Sequence, residues 1–364
     1  MKLIDRYLLR EYLRPLFFCF SLFIMMHVIL DLFDNLPDFL EADIPLGTAA
    51  LYYLAVLGPI LEYIAPASLL LAALYTLWHL TRNSELTAMR AVGFSIYRIM
   101  APFLLVGLIA SIAVTTLKET IAPSAAMWAT ALKKGDFKSV DESVYRGRAY
   151  YHNSTRRVTW EIEDFDVRNP ARAEGVLIRK ERPDGTRTLE IEVRKARWMD
   201  GEWWFFDGRI QEYTADGLGV TNTVGLGLLG TLMQELQTEP SEIVAEVKEW
   251  HFLTTLEMAR YLEQRPGLPP KSRAGRRFDL HRRLAMPWAC LIVTLFGIPA
   301  GAKSGRQSAL GGIISALAFF FAFYALHQTG LFLGKAQIMA PVLAAWLSNI
   351  VFLTAGTIML IRIE

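Results

Sequence analysis

Four ionisable side chains lie inside long apolar runs, and such residues are the first candidates for chemistry. They are His27, Asp31, Glu62 and His327. An ionisable group within a membrane-spanning segment is costly and often marks a proton or metal site. His27 and Asp31 are four residues apart, so they can pair on one face of a helix. The alternative, which we favour, is that these groups are interfacial or line a cavity near the outer surface.

A dense run of basic residues comes just before the fourth long apolar run. Within it, four arginines are candidate ligands of lipid phosphate groups: Arg276, Arg277, Arg282 and Arg283. Guanidinium groups bind phosphate through two parallel hydrogen bonds, so a phosphorylated lipid at the outer face of a bilayer would be held here. The alternative is structural, because such residues also anchor a span by contacting head groups or by pairing with an acidic loop.

A short charged segment, residues 82–95, separates two long apolar runs. Asn83 or Ser84 can cap a helix, and Glu85 suits the positive end of the helix dipole. Gly93 can end the same helix. The segment therefore predicts a helix of about two turns, near residues 83–93, between two membrane spans.

This predicted helix has an apolar side, to which Leu86 and Met89 belong, and a charged rim. A transport subunit driven by a separate ATPase needs a rigid element to receive the movement, and a short helix that fits a groove of the ATPase meets this need. Glu85 and Arg90 would fix the register by charge pairing, with Leu86 and Met89 as buried anchors. The alternative is an ordinary solvated loop.

Enzyme signatures are not found in the sequence, which contains neither HExxH nor GxSxG. The two cysteines, Cys19 and Cys290, lie inside apolar runs, which predicts buried thiols and no disulfide framework. We therefore predict no catalytic residue, no metal and no cofactor in this chain. If the protein does energised work, ATP is bound and hydrolysed by a partner subunit.

The distribution of apolar residues predicts an integral membrane protein. The chain has 364 residues, of which 53% are hydrophobic, and a net charge of +2. A helix needs about 20 apolar residues to cross a bilayer. Six runs predict spans, at roughly residues 16–33, 48–80, 99–117, 284–302, 309–333 and 338–361.

The segment between the third and fourth runs is polar and predicts a β domain. Alternating residues at 157–163 and 188–194 are typical of half-buried strands. Residues 197–204 predict a hairpin with aromatic cross-strand pairs, and a short amphipathic helix is expected over about 254–264. Turn signals recur at Pro183-Asp184-Gly185, Asp200-Gly201, Asp207-Gly208 and Asp216-Gly217.

Short strands with frequent turns favour an all-β sandwich or jelly roll. The predicted architecture is therefore a helical membrane protein with six spans and a jelly-roll-like domain between the third and fourth. Residues 1–121 hold the first three spans, residues 122–279 the β domain, and residues 280–364 the last three spans.

The distribution of basic residues predicts the orientation. With both termini in the cytoplasm, the short inner segments hold most of the lysines and arginines, as the positive-inside rule requires. The β domain and the acidic segment after the first span are then outside. We expect no nucleic acid among the partners. The inner basic residues are Lys2, Arg6, Arg10, Arg14, Arg82, Arg90, Arg98, Lys303, Arg306 and Arg362.

Several stretches resemble, in the right order, the LptF/LptG permeases, which are transmembrane subunits of the lipopolysaccharide exporter. Asp5-Arg6-Tyr7 and the segment from Arg82 to Leu86 are more similar to the LptG member. The strongly acidic end of the first span, with Asp31 and Asp34, departs from the family's pattern of a basic residue there. The similar stretches are residues 3–11, Ser84-Glu85-Leu86, and residues 198–203, 280–287 and 341–349.

The resemblance implies half of an ABC exporter in the inner membrane of a diderm bacterium. Its expected partners are a related LptF/LptG-type permease, a dimeric LptB-like ATPase, an LptC-like accessory protein, and an LptA-like periplasmic bridge protein. The substrate implied is lipopolysaccharide, which would pass from the membrane into the jelly roll. The alternative, from another class, is a membrane-anchored scaffold that transports nothing and whose β domain docks envelope proteins.

Overall fold

The structure is a computed structural model that describes residues 3–153, 156–217, 219–230, 238–265, 267–303 and 309–361. Three basic residues used for the orientation, Lys2, Arg306 and Arg362, lie outside the described residues. The chain divides into two compact units. Met1–Ala122 and Pro270–Glu364 form the first, which we call the membrane unit, and Pro123–Pro269 form the second, the β unit.

The first part of the membrane unit consists of three long helices and one short one. They are α1 (Leu3–Glu41), α2 (Leu46–Arg82), α3 (Glu85–Ala91) and α4 (Ile96–Thr120). The second apolar run forms a single helix although Pro59 and Pro66 lie inside it. Helix α5 (Ala122–Lys134) then leads into the β unit.

Six strands follow: β1 (Arg146–Asn153), β2 (Val158–Asp166), β3 (Arg172–Glu181), β4 (Arg187–Met199), β5 (Glu202–Tyr213) and β6 (Val220–Gly230). They form one antiparallel sheet in the order of the sequence. The predicted jelly roll requires a strand that returns across its neighbours. The described strands instead form a meander, because each strand pairs with the next one along the sequence.

The predicted aromatic hairpin is confirmed at the turn between β4 and β5. Trp198 pairs with Trp203, and their ring centroids are 5.5 Å apart. Asp200 and Gly201 both have positive φ, at 56° and 82°, as a two-residue hairpin turn demands. The turn predicted at Asp207-Gly208 is wrong, because both residues lie inside strand β5.

The apolar side of the sheet is filled by its own side chains. Trp160, Phe165 and Trp203 are at most 1% exposed. Helix α6 (Pro240–Val247) covers them with Ile243, which is fully buried. The indole Nε1 of Trp203 donates a hydrogen bond of 2.6 Å to the backbone oxygen of Thr238.

Helix α7 (Thr255–Gln264) confirms the helix predicted at residues 254–264, and Thr254 and Glu257 form a capping box at its start. The chain then returns to the membrane unit. Its remaining helices are α8 (Pro270–Ala285), α9 (Ala289–Lys303), α10 (Ala309–Lys335) and α11 (Pro341–Ile361).

Within the described residues, five helical segments are long and apolar enough to cross a membrane. The predicted fourth span is the exception, so six spans are not confirmed. A 3-10 turn at Met286–Trp288 separates α8 from α9, of which the structure describes 15 residues, up to Lys303. Pro287 lies in this turn and cannot donate a backbone hydrogen bond, which explains the break.

The core of the membrane unit joins α1, α2, α4 and α9. Tyr12 and Phe103 are fully buried with ring centroids 4.6 Å apart. The hydroxyl of Tyr12 donates to the backbone oxygen of Leu69 at 3.2 Å. Cys290 lies in the same core, and Cys19 is also a buried free thiol, as their apolar surroundings predicted.

Candidate functional site

Helix α3 lies where the sequence placed it and spans about two turns. Gly93 ends it at φ +90°, and the backbone nitrogen of Phe94 donates to the oxygen of Met89 at 3.1 Å. Side-chain capping at the start is not found. Asn83 ends α2 instead, and Ser84 has φ 61° without a capping hydrogen bond from its side chain.

The side chains of α3 divide between the protein's own core and its surface. Leu86 is 6% exposed and lies in the core of the membrane unit, and Met89 packs against the same core. This placement corrects the expectation that these two residues anchor a partner, because their apolar surface is already covered. Arg90 is exposed and Val92 is 79% exposed, so both are available to a partner.

Glu85 is held by helix α1. The hydroxyl of Tyr7 donates a hydrogen bond of 2.6 Å to the Oε2 atom of Glu85. The sequence separation of 78 residues hides this contact from any local pattern. Helix α3 is therefore attached to α1 through Glu85 and to the core through Leu86, which makes it one body with the spans around it.

The four candidate phosphate ligands on α8 occupy different environments. The side chain of Arg283 is 8% exposed, and its Nε atom lies 2.9 Å from the Oε1 atom of Glu119. Its Nη2 atom also donates to the backbone oxygen of Lys118 at 2.9 Å. The expectation that Arg283 binds lipid phosphate is therefore corrected, because its guanidinium is committed to α4.

The other arginines are more accessible. Arg282 has a side chain that is 34% exposed, with its Nη1 atom 4.0 Å from the Oε1 atom of Glu62. Arg277 is exposed and Arg276 is half-buried. Burial and the charge of Arg277 lower the pKa of His281 below its usual 6.5. This helix therefore combines one buried arginine, Arg283, with three that are at least partly exposed.

Glu62 is a buried partner of Lys118. It is 7% exposed, and the Nζ atom of Lys118 forms an ion pair with its Oε2 atom. The hydroxyl of Tyr324 donates to the backbone oxygen of Glu62 at 3.4 Å. An ion pair compensates both charges. This contact is therefore sufficient to explain why a carboxylate lies inside a span, and no proton or metal site has to be invoked.

The remaining polar residues proposed from the sequence, His27, Asp31 and His327, do not form a common site. The side chains of His27 and Asp31 do not form the predicted pair, and the buried Nε2 and Oδ2 atoms lack hydrogen-bond partners. The amide of Asn35 donates to the backbone oxygen of Asp31 at 2.7 Å. His327 is 6% exposed, with its ring centroid 6.3 Å from that of Phe278. In the part of the chain that the structure describes, no cluster of ligating side chains could hold a metal ion.

Five helices among the described residues are long and apolar enough to cross a membrane, and a β unit is inserted between them, which defines an integral membrane protein. A family model for the lipopolysaccharide export system permease LptF/LptG matches residues 6–362. The chain therefore belongs to the LptF/LptG family, whose members are transporter subunits of lipopolysaccharide export and not enzymes. The match is to both members together. No curated protein matches the chain.

Proposed function

We propose that this chain is the LptG-type permease of an ABC exporter in the inner membrane of a diderm bacterium. It pairs with an LptF-type permease, and a dimeric LptB-like ATPase engages helix α3 from the cytoplasm. Both termini are cytoplasmic and the β unit is periplasmic. An LptC-like accessory protein and an LptA-like bridge protein continue the route of lipopolysaccharide beyond the β unit.

The observation that carries this proposal is the attachment of α3. The helix exposes Arg90 and Val92 while Leu86 is buried in the core and Glu85 is bound by Tyr7. Because Glu85 is bound to α1 and Leu86 is packed in the core, α3 cannot move without moving the helices that it contacts. Packed protein interiors are close to incompressible. Closure of the ATPase on ATP binding would therefore be transmitted to α1, α2 and α4.

The lipid would enter from the bilayer and meet α8 first. Arg276, Arg277 and Arg282 are the proposed ligands of its phosphate groups, since none of the three is buried as Arg283 is. Inward movement of the spans would then push the lipid towards the β unit. Its acyl chains would contact the apolar side of the sheet at Trp203. Helix α6, whose Ile243 now covers that side, would therefore have to move away.

Gentle purification of the tagged chain from its own membranes tests this proposal. We expect an ABC ATPase and a second permease of the same family to accompany it. Recovery of envelope proteins without an ATPase, repeated in a milder detergent, would favour the scaffold alternative instead.

A further inference from the structure

A groove of about 680 Å³ runs along the membrane unit between α1 and α2, at the end that carries α3. Apolar side chains line most of its length. Phe18 and Leu22 come from α1, and Leu71 and Leu74 come from α2. Phe18 is 68% exposed and Leu22 is 42% exposed, so the groove is open along its length within the described residues.

The mouth of the groove is polar and charged. Glu11 and Arg14 lie there, with the Nη1 atom of Arg14 3.2 Å from the Oε1 atom of Glu11. Tyr75 and His79 stack beside them with ring centroids 6.2 Å apart. Aromatic and charged side chains of this kind occur at the level of lipid head groups. The mouth therefore marks the level of the membrane–water interface, and the apolar walls of the groove lie deeper in the membrane.

The length of the groove matches one leaflet. From Glu11 to Leu22 along α1 there are 11 steps of 1.5 Å, which gives about 16 Å. The hydrocarbon core of a bilayer is about 30 Å thick, so one leaflet contributes about 15 Å. An acyl chain that begins at Arg14 would pass Leu22 after eight residues, about 12 Å, and would reach the bilayer midplane within one further turn of α1.

We propose that this groove holds a resident phospholipid with a zwitterionic head group that contains a phosphate and a primary amine. The guanidinium of Arg14 binds the phosphate, and the carboxylate of Glu11 accepts hydrogen bonds from the ammonium group. One acyl chain lies along Phe18, Leu22 and Leu71. Arg14 and Glu11 are the permanently charged residues of the described lining, with His79 beside them and the guanidinium of Arg82 over the ring of Trp78. The carboxylate of Glu11 complements an ammonium group, which a purely anionic head group lacks.

The lipid also has a structural effect. The hydroxyl of Thr76 donates to the backbone oxygen of Glu11 at 3.3 Å, so α1 and α2 touch at the floor of the mouth. Beside this contact, the lipid covers the open groove between the two helices, which also touch through Tyr12 and Leu69. This site is independent of the proposed lipopolysaccharide route, because it lies at the opposite end of the unit from α8.

The test uses the full chain in nanodiscs with equal amounts of ethanolamine- and glycerol-headed phospholipid. Both lipids carry a photoactivatable group in one acyl chain, and mass spectrometry locates the cross-links. We expect cross-links at Leu22 and Leu71 with the ethanolamine lipid preferred. Arg14→Gln should lower retention of both lipids by about tenfold, as loss of a charge-assisted contact predicts.

Matched variants separate head-group recognition from general damage. Glu11→Gln should abolish the preference between the two lipids, whereas Arg10→Gln, at an exposed position outside the groove, should change nothing. Leu22→Trp should fill the groove and remove the cross-links. Phe17→Trp, at a position that is 75% exposed on another face of the same helix and outside the groove lining, should leave them.

Three results would overturn the proposal. The first is equal cross-linking of both lipids in the unchanged protein. The second concerns Glu11→Gln. If this variant retains the glycerol lipid or lipopolysaccharide more strongly than the unchanged protein retains the ethanolamine lipid, the groove is a site for anions. The third is cross-linking of the groove to a helix of a co-purified protein, which would assign it to a protein partner.

Discussion

Glu62 on α2 and Lys118 on α4 form an ion pair that is buried within the membrane unit. Their side chains are 8% and 14% exposed. Arg282 and Arg283 on α8 lie beside this pair, one near Glu62 and the other bound to Glu119. Three helices are therefore connected by charge at the end of the bundle opposite α3, where α8 enters the membrane unit.

Removal of one partner of this pair should destabilise the protein strongly. In Glu62→Gln the ammonium of Lys118 stays buried without its counter-ion, which costs about 3–5 kcal/mol in comparable pairs. The double variant Glu62→Gln/Lys118→Met should recover most of that loss, because neither charge of the pair is left without its partner. Thermal unfolding in detergent measures both. Equal stability of the single variant and the unchanged protein would show that the pair is not formed.

Arg283 and Arg282 should behave differently although they are neighbours in sequence. Arg283→Gln should lower stability, because Glu119 and the backbone oxygen of Lys118 lose their donor. Arg282→Gln should leave stability nearly unchanged and reduce photo-cross-linking of lipopolysaccharide to α8. If Arg283→Gln reduces cross-linking at full stability, the structural role of Arg283 is refuted.

Loss of the Tyr7 hydroxyl should uncouple the ATPase without releasing it. Tyr7→Phe removes the hydrogen bond to Glu85 but leaves the exposed residues Arg90 and Val92 unchanged. We expect normal co-purification of the ATPase with slower lipopolysaccharide transfer per ATP hydrolysed. Tyr97→Phe, which alters another exposed tyrosine, is the control. Loss of ATPase binding in Tyr7→Phe would place Tyr7 in the interface itself.

The two faces of the β sheet should differ in their contact with lipid. A photo-cross-linking residue at Ile243 on the apolar side should capture lipopolysaccharide when the reconstituted exporter hydrolyses ATP. The same residue at Tyr150, which is 57% exposed on the other face, should not. Capture at Tyr150 alone would mean that the lipid follows the polar face and that α6 stays in place.

The pH dependence of stability should include a contribution from His281. Burial and Arg277 lower its pKa in the folded state, so protonation favours the unfolded chain. This contribution is complete above the unfolded-state pKa of about 6.5 and is lost as the pH falls from there through the lower folded-state pKa. Between pH 7.5 and pH 5.5, His281→Gln should therefore lose less stability than the unchanged protein. Equal losses would contradict the lowered pKa.

The sequence predicted the elements whose causes are local. The hairpin at Asp200-Gly201 follows from two residues that tolerate positive φ, and helix α7 follows from the capping pair Thr254 and Glu257. The end of α3 at Gly93 has the same kind of cause. Such signals depend on a few adjacent residues, so one sequence contains all the information needed.

Contacts between distant residues were not predicted. Glu62 and Lys118 are 56 residues apart, and Arg283 and Glu119 are 164 apart. Each of these residues taken alone resembles a functional charge in a membrane, and only the packing of α2, α4 and α8 shows its partner. Leu86 is a similar case, because helical spacing identifies an apolar face without showing whether the core or a partner covers it.

The measurement that tests the central claim most directly is ATP-dependent transfer of lipopolysaccharide out of proteoliposomes that contain the permease pair and its ATPase. We compare Arg90→Glu, on the exposed side of α3, with Lys335→Glu at the exposed end of α10. We predict that Arg90→Glu abolishes transfer and ATPase binding, whereas Lys335→Glu retains both. Undiminished transfer in Arg90→Glu, with the ATPase still bound, would contradict coupling through α3.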